Sequence, residues 1–358
     1  MVKLYYEYTG DKDFVRDSMP LLIREHKYWM DNNLINVQTT NGNYTLNRYV
    51  VDTDQPRPES YSDDYELAHS VSSSPDRQAK IYADMAAGAE SGWDYTVRWV
   101  KDPHAAPEKV LQGINTSNVV PVDLNSILYQ VEETLSEFAR MLQLKGDTDK
   151  YRRIAKERKA AIKSLFYDSA SGLYYDYLLD SAKKSNVFSV ASIWPYWAFG
   201  SNSSDSFGAK NAYSYIAKVL TSNPGGIPST LINSGQQWDW PMAWPPLQYV
   251  VMQGALATKN TAVAGALAQA YVNSVFCAWY NTGGSIPNIL AQLPNQTDSG
   301  HIFEKFNSVN PGQQGGGGEY TVQAGFGWTN GVLLWTLDKF GKVLKTPVCP
   351  GTELHIMK

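Results

Sequence analysis

The chain has 358 residues, enough for one large fold or for two domains. Apolar residues make up 43% and charged residues 18%, a balance that supports a packed core and argues against disorder or a coiled coil. The net charge of −4 is spread without long runs, so nucleic acid is not an expected partner, and no stretch approaches the roughly 18–20 apolar residues of a membrane span.

Helical periodicity appears first over residues 12–31, where Phe14, Val15, Met19, Leu22, Ile23 and Trp29 are apolar and Asp11 is the expected N-cap. A hairpin is expected over 35–51, with its turn at Asn41-Gly42. Further helices are expected over 76–100, across Gly88 and Gly92, and over 123–144. Another, capped by Asp147, carries Tyr151, Ile154, Ala161, Ile162 and Leu165 on one face. Leu173 to Tyr177 reads as a second small hairpin, and helices follow over about 187–199, 207–222, 242–258, 260–280 and 326–341. Helices joined by loops and minor hairpins point to an all-α toroid rather than an α/β fold. No composition shift marks a domain boundary. The loops 52–64, 224–241 and 282–325 are rich in Gly, Pro, Asn and Gln, and long loops on a helical scaffold are where function usually sits.

Cys277 and Cys349 are far apart and near no His cluster, so no zinc site is expected and a disulfide between them stays open. Sequons at Asn43, Asn115, Asn202 and Asn295 favour a secreted or extracellular protein, although this chain contains no signal region.

The aromatic bias, 11 Trp and 23 Tyr, concentrates in the loops. Trp238, Trp240 and Trp244 lie beside Gln236, Gln237 and Asp239. Flat indoles suit the C–H face of a sugar ring, and neighbouring carboxylates and amides suit its hydroxyls. Asp94 sits between Trp93 and Tyr95. A continuous helix would set Glu90, Asp94 and Arg98 on one face, with desolvation and Arg98 pulling the Asp94 carboxyl in opposite directions, as a tunable general acid requires. Glu304 lies among Ile302, Phe303 and Phe306, followed by Gly315 to Gly318 and then Glu319-Tyr320. Those glycines are no phosphate loop, because no Gly-Lys-Ser/Thr follows; they let backbone approach a ligand. Arg57 and Glu59 flank Pro58, which fixes their relative direction, and offer donors and acceptors to sugar hydroxyls. Two carboxylates in aromatic loops fit glycoside hydrolysis.

The run Gln236 to Gln248 resembles a signature of the trehalases that form an (α/α)6 toroid. Gly315 to Tyr320 with Gly325 to Gly331, Arg57 to Ser60, and Glu90 to Asp94 resemble three more, in the same order and spacing, over residues 1–342. Residues 343–358 then form a C-terminal tail. The resemblance implies inverting hydrolysis of α,α-trehalose to two glucose molecules, with no metal and no cofactor. Asp94 resembles the general acid and Glu304 the general base. Arg57, Pro58, Glu59, Gly92, Trp238 and Glu319 resemble substrate-binding positions. The implied partner is a small-molecule disaccharide.

Several departures accompany the resemblance. A Pro-Gly-Gly-Arg run and an Arg-Ser-Gln-Pro-Pro element are absent, so the chain looks like the C-terminal portion of a longer protein, with an incomplete toroid lacking its first helices. Val97 stands where Ser is usual, Met242 where Asn is usual, and Phe306-Asn307 where Tyr-Asp is usual. A noncatalytic sugar-binding or interaction module, and a toroid glycosidase for another α-glucoside, stay open as alternatives.

Overall fold

A computed structural model describes residues 1–200, 206–318 and 321–357. Helix accounts for 53% and strand for 10%, which establishes the expected helical class. The chain divides into two compact units. One comprises Met1–Glu90, Asn115–Tyr167 and Tyr174–Asn186; the other comprises Ser91–Ile114, Asp168–Leu173 and Val187–Lys358.

The first unit holds α1 (Val2–Thr9), α2 (Lys12–Asn32), β1 (Leu34–Thr39), β2 (Gly42–Asn47), α3 (Tyr61–Val71), α4 (Pro75–Glu90), β3 (Val119–Val120), α5 (Val122–Met141), α6 (Lys145–Leu165), β4 (Tyr177–Leu178) and β5 (Lys183–Lys184). Asp11 caps α2 as expected, its carboxylate accepting from the Phe14 amide at 2.9 Å. The β1–β2 hairpin pairs Leu34 with Asn47 and Thr39 with Gly42, so its turn is Thr40-Asn41 rather than the expected Asn41-Gly42, and Gly42 opens β2. β4 pairs with both β3 and β5, adding a third strand beyond the small hairpin expected near Tyr177.

Three expectations are corrected. The helix over 76–100 ends at Glu90. Asp147 is not the cap of α6: the helix opens at Lys145, and Asp147 lies in its first turn, where a carboxylate complements the helix dipole. The loop expected over 52–64 gives way at Pro58 to a 3-10 turn that runs into α3. That helix shows little apolar periodicity, which hides it in the sequence.

The core of this unit joins Val15 and Met19 of α2 to Leu135, Phe138 and Ala139 of α5 and Tyr151 of α6. Burying each large apolar side chain contributes roughly 1.5–3 kcal/mol. Beside it lies a buried polar network. Arg158 donates from Nε to both Glu132 oxygens at 2.9 and 3.0 Å, and from Nη1 to Asn125 Oδ1 at 2.9 Å. His26 meets Glu132 at 3.3 Å. The Asn125 amide donates to the Asn47 carbonyl at 2.8 Å and accepts from the Asn47 amide at 2.9 Å. Charged groups therefore bind α2, α5, α6 and β2 together.

The second unit holds α7 (Trp194–Phe199), α8 (Ser206–Ser222), β6 (Met242–Ala243), α9 (Pro245–Ala257), α10 (Thr261–Asn281), β7 (Phe306–Asn307) and α11 (Gly327–Phe340). The helix expected from about 187 begins instead as a 3-10 turn at Val190–Ile193. α10 departs from the expectation that no stretch reaches membrane-spanning length: it has 21 residues, and an 18-residue window within it has a mean hydropathy of 1.2. It is apolar because it is a core helix, with Leu267, Ala268, Tyr271, Val275, Cys277 and Ala278 all buried. Cys277 and Cys349 form a disulfide, and the Ala291 and Met357 amides donate to the His355 and Ile289 carbonyls at 2.9 Å each, so the C-terminal segment is fastened to this unit. Of the sequons, Asn43 and Asn295 are exposed and Asn115 is half-buried, while Asn202 lies outside the described residues.

Removing the carboxylate in Glu132→Ala leaves Arg158 buried without its anion. The expected loss is about 3–5 kcal/mol, read as a lower urea midpoint at unchanged slope.

Candidate functional site

Gly92 carries a left-handed φ of +73°, a conformation that glycine adopts at little steric cost and that stops α4. Glu90, Asp94 and Arg98 are therefore not on one helical face. Glu90 closes α4, where burial raises its carboxyl pKa against a bond from Asn33. Beyond Gly92 the chain turns through a cis Asp94–Tyr95 peptide into a 3-10 turn at Val97–Trp99. Arg98 is buried, its guanidinium 4.3 Å from the Trp93 ring centre and 4.6 Å from that of Trp99, a cation–π arrangement on two indoles. Asp94 is half-buried and Gly92 exposed. A side chain added at Gly92 would meet open space.

The loop before α9 is held by Asp239. Its fully buried carboxylate accepts from Thr96 Oγ1 at 2.7 Å, the Val97 amide at 3.0 Å, Thr230 Oγ1 at 2.9 Å, and Ser234 Oγ. Burial raises its pKa, against these bonds. A carboxylate already accepting four donors is an anchor, so Asp239 does not serve as the sugar-hydroxyl acceptor that its place among the tryptophans suggests. Gln237 is likewise engaged: Nε2 donates to the Asp94 carbonyl and Oε1 accepts from Lys305 Nζ at 2.8 Å.

Four indoles form a continuous aromatic wall. Trp93 stacks on Trp238 at 5.3 Å, Trp238 on Trp244 at 3.8 Å with planes 1° apart, and Trp328 meets Trp244 edge-on at 5.7 Å. Trp244 Nε1 donates to the Gln237 carbonyl at 2.9 Å and Trp328 Nε1 to the Glu304 carbonyl at 2.8 Å. The buried Trp238 Nε1 has no hydrogen-bond partner among the described residues.

Glu304 is buried, and its amide donates to the Gln323 carbonyl at 2.9 Å. The next residue, Lys305, is fully buried. Its ammonium donates to Gln237 Oε1 and to the Gly317 carbonyl at 3.0 Å, and lies 4.7 Å from the Trp244 ring centre. Desolvation lowers its pKa to about 8, while the charges of Glu304 and Asp94 pull it back up. Gly318 passes so close that a Cβ would sit 2.4 Å from Gln237 Oε1; this close approach accounts for its glycine.

Of the predicted site residues, Gly92, Asp94, Trp238 and Glu304 belong to the second unit. Arg57, Pro58 and Glu59 belong to the first. Arg57 is buried against Asp64, donating from Nε at 2.9 Å and Nη2 at 2.8 Å. Pro58 opens the turn before α3, and Glu59 is exposed. Glu319 lies outside the described residues, as does Tyr320. Among the described residues no group of three or more His, Cys, Asp or Glu could hold a metal ion. Sequence reasoning overlooked Lys305; the signal was a Glu-Lys pair enclosed by Phe303 and Phe306.

The family model described as Trehalase matches residues 1–341. The chain is 38% identical to the trehalase of Oryctolagus cuniculus, over 100% of this chain and 58% of that protein. It is 38% identical to that of Homo sapiens, over 95% and 55%, and 35% identical to that of Bombyx mori, over 96% and 57%. It thus spans little more than half the length of these relatives. Among solved structures, the neutral trehalase of Saccharomyces cerevisiae superposes with a TM-score of 0.64 at 20% identity, over 91% of this chain and 57% of the other. A GH63 mannosylglycerate hydrolase of Thermus thermophilus superposes with a TM-score of 0.56 at 15% identity, over 94% and 73%. These toroid enzymes share the fold of the chain.

Asp239→Ala strands several buried donors, each costing about 1–3 kcal/mol. A fall in unfolding free energy on the order of 3 kcal/mol is expected in denaturant titration. For Lys305, the folded value lies below that of the free side chain. The penalty for burying its charge is therefore fully present below about pH 8 and is relieved as pH rises towards 10.5. Relative to Lys305→Met, the unsubstituted chain gains stability across that window in urea melts.

Proposed function

Because the chain belongs to the trehalase family, we propose that it hydrolyses α,α-trehalose to two glucose molecules with inversion, Asp94 acting as general acid and Glu304 as general base. The observation that carries this reading is the bridge in which Gln237 joins the Asp94 carbonyl to the ammonium of Lys305, the neighbour of Glu304 in sequence, beside a wall of stacked indoles. In the proposed reaction Glu304 removes a proton from water. The water oxygen attacks the anomeric carbon as the glycosidic C–O bond breaks, and Asp94 gives its proton to the departing oxygen. The half-buried setting of Asp94 suits a group that must face a leaving oxygen. The buried setting of Glu304 suits a base that must hold one water away from bulk solvent.

The indole wall would bound the sugar pocket, and the open space over Gly92 would admit a ring. By their motif matches Arg57, Pro58, Glu59 and Glu319 are read as further substrate-binding positions. The chain, spanning residues 1–342 with a tail at 343–358, is read as one catalytic domain of that family.

In the full-length protein, Asp94→Asn and Glu304→Gln are each expected to abolish glucose release from trehalose. Near-normal turnover in either would refute the assignment. Binding heat with trehalose but no glucose from the unsubstituted protein would identify a sugar-binding module instead.

A further inference from the structure

Resting on that reading, we propose that Lys305 is a positioning residue, whose ammonium balances the charge of Asp94 and Glu304 and fixes their spacing through Gln237 and the Gly317 carbonyl. The connection runs through three segments distant in sequence. Lys305 follows Glu304 directly, its Nζ donates to Gln237 Oε1 at 2.8 Å, and Gln237 Nε2 donates to the Asp94 carbonyl. The base-bearing bend before β7, the aromatic loop and the acid-bearing turn are thus joined by one side chain and one amide. The second Lys305 bond, to the Gly317 carbonyl at 3.0 Å, draws the glycine loop onto the same point.

A purely structural bridge would not need a charge. Two carbonyl oxygens accept equally well from a neutral donor, whereas burying an ammonium costs several kcal/mol after relaxation. The stem packs closely, since a Cβ on Gly315 would approach Lys305 Cγ at 2.8 Å, and the Trp244 ring further limits water. What favours the charged form here is the pair of carboxylates, Glu304 and Asp94, which offset part of the lowering by burial and leave the pKa at about 8. The charge balance of the proposed reaction explains why such a cation belongs between them. Before the transfer Glu304 is ionised and Asp94 protonated; afterwards Asp94 is ionised and Glu304 protonated. The net charge with Lys305 is zero in both states, so a fixed cation near both acids lets the negative charge change places without solvent having to follow it.

Steady-state kinetics with trehalose on the full-length protein, across mildly acid to alkaline pH, tests this. Lys305→Met is expected to lower kcat by about 10²-fold with little change in KM and to remove the alkaline limb of the pH profile. The unsubstituted protein is expected to lose activity as pH rises past about 8, and Lys305→Arg, which keeps its charge, to recover part of the rate and lack that alkaline limb. Should Lys305→Met fail to fold, Gln237→Met decides: a lower kcat at constant KM with an unshifted pH profile supports the relay, and an unchanged kcat overturns it. A Lys305→Met protein with the original kcat and both original limbs, altered only in melting temperature, would reduce Lys305 to a structural cation. That result would leave the reading of Asp94 and Glu304 intact, because only activity surviving Asp94→Asn or Glu304→Gln defeats that reading.

Discussion

An ammonium removed from water must be compensated by nearby dipoles and anions or lose its proton, and the second unit is organised around one that keeps it. Lys305 is fully buried, and each of its compensating partners comes from a different stretch of chain: Gln237 and Trp244 from around the start of α9, Gly317 from the glycine loop, Asp94 from the turn after α4. None of these contacts is local in sequence except that with Glu304. The loops have to arrive together, because an arrangement missing one of them leaves a charge in a low-dielectric interior with too few partners.

Asp239 imposes the same discipline with the opposite sign. Its carboxylate gathers Thr96, Val97, Thr230 and Ser234, so the acid-bearing turn is fastened to the aromatic loop at a point a few residues from Asp94. The indole wall then has little freedom. Trp238 lies flat on Trp244, Trp244 is tied through its N–H to Gln237, and Trp328 is tied to the Glu304 carbonyl. A wall whose members are each hydrogen-bonded or stacked presents a fixed surface, which is the condition for orienting a rigid sugar rather than merely adsorbing it.

The parts of this arrangement that were legible in the sequence were those with a local signature. Asp11 announced α2 because an N-cap acts three residues away, and the alternation of Ile35, Val37, Tyr44 and Leu46 announced the hairpin, although its turn falls one residue earlier than Asn41-Gly42 suggested. The cluster of Trp238, Trp240 and Trp244 was visible as composition alone. The roles inside the cluster were not. Asp239 and Lys305 are ordinary charged residues until the fold supplies partners as far away as Thr96 and Gln237, and a partner 143 residues distant leaves no trace in spacing. Gly92 misled for a related reason: a glycine within an apolar pattern is compatible with a weakened helix, and only its positive φ shows that the helix has stopped.

Two of the motif departures acquire a common sense from the same geometry. Met242 and Phe306 stand where the resembled signatures have Asn and Tyr, and they lie on the two strands of one ladder, with Met242 opposite Asn307 and Ala243 opposite Phe306. Backbone pairing on a two-residue ladder does not depend on those side chains, so the replacements leave the scaffold in place and change its polarity. A Cβ added at Gly315 would meet Lys305 Cγ at 2.8 Å and the Met242 sulfur at 3.1 Å, so the thioether lies near the buried cation's hydrocarbon. An apolar lining there withholds hydrogen bonds that Asn or Tyr could have supplied and lowers the local dielectric. It thereby increases both the cost of burying Lys305 and the strength of its attraction to Glu304 and Asp94. The substitutions thus shift the stabilisation of the cation from dipoles onto the two carboxylates, and bind the charge state of the site more tightly to the pair proposed to do the chemistry.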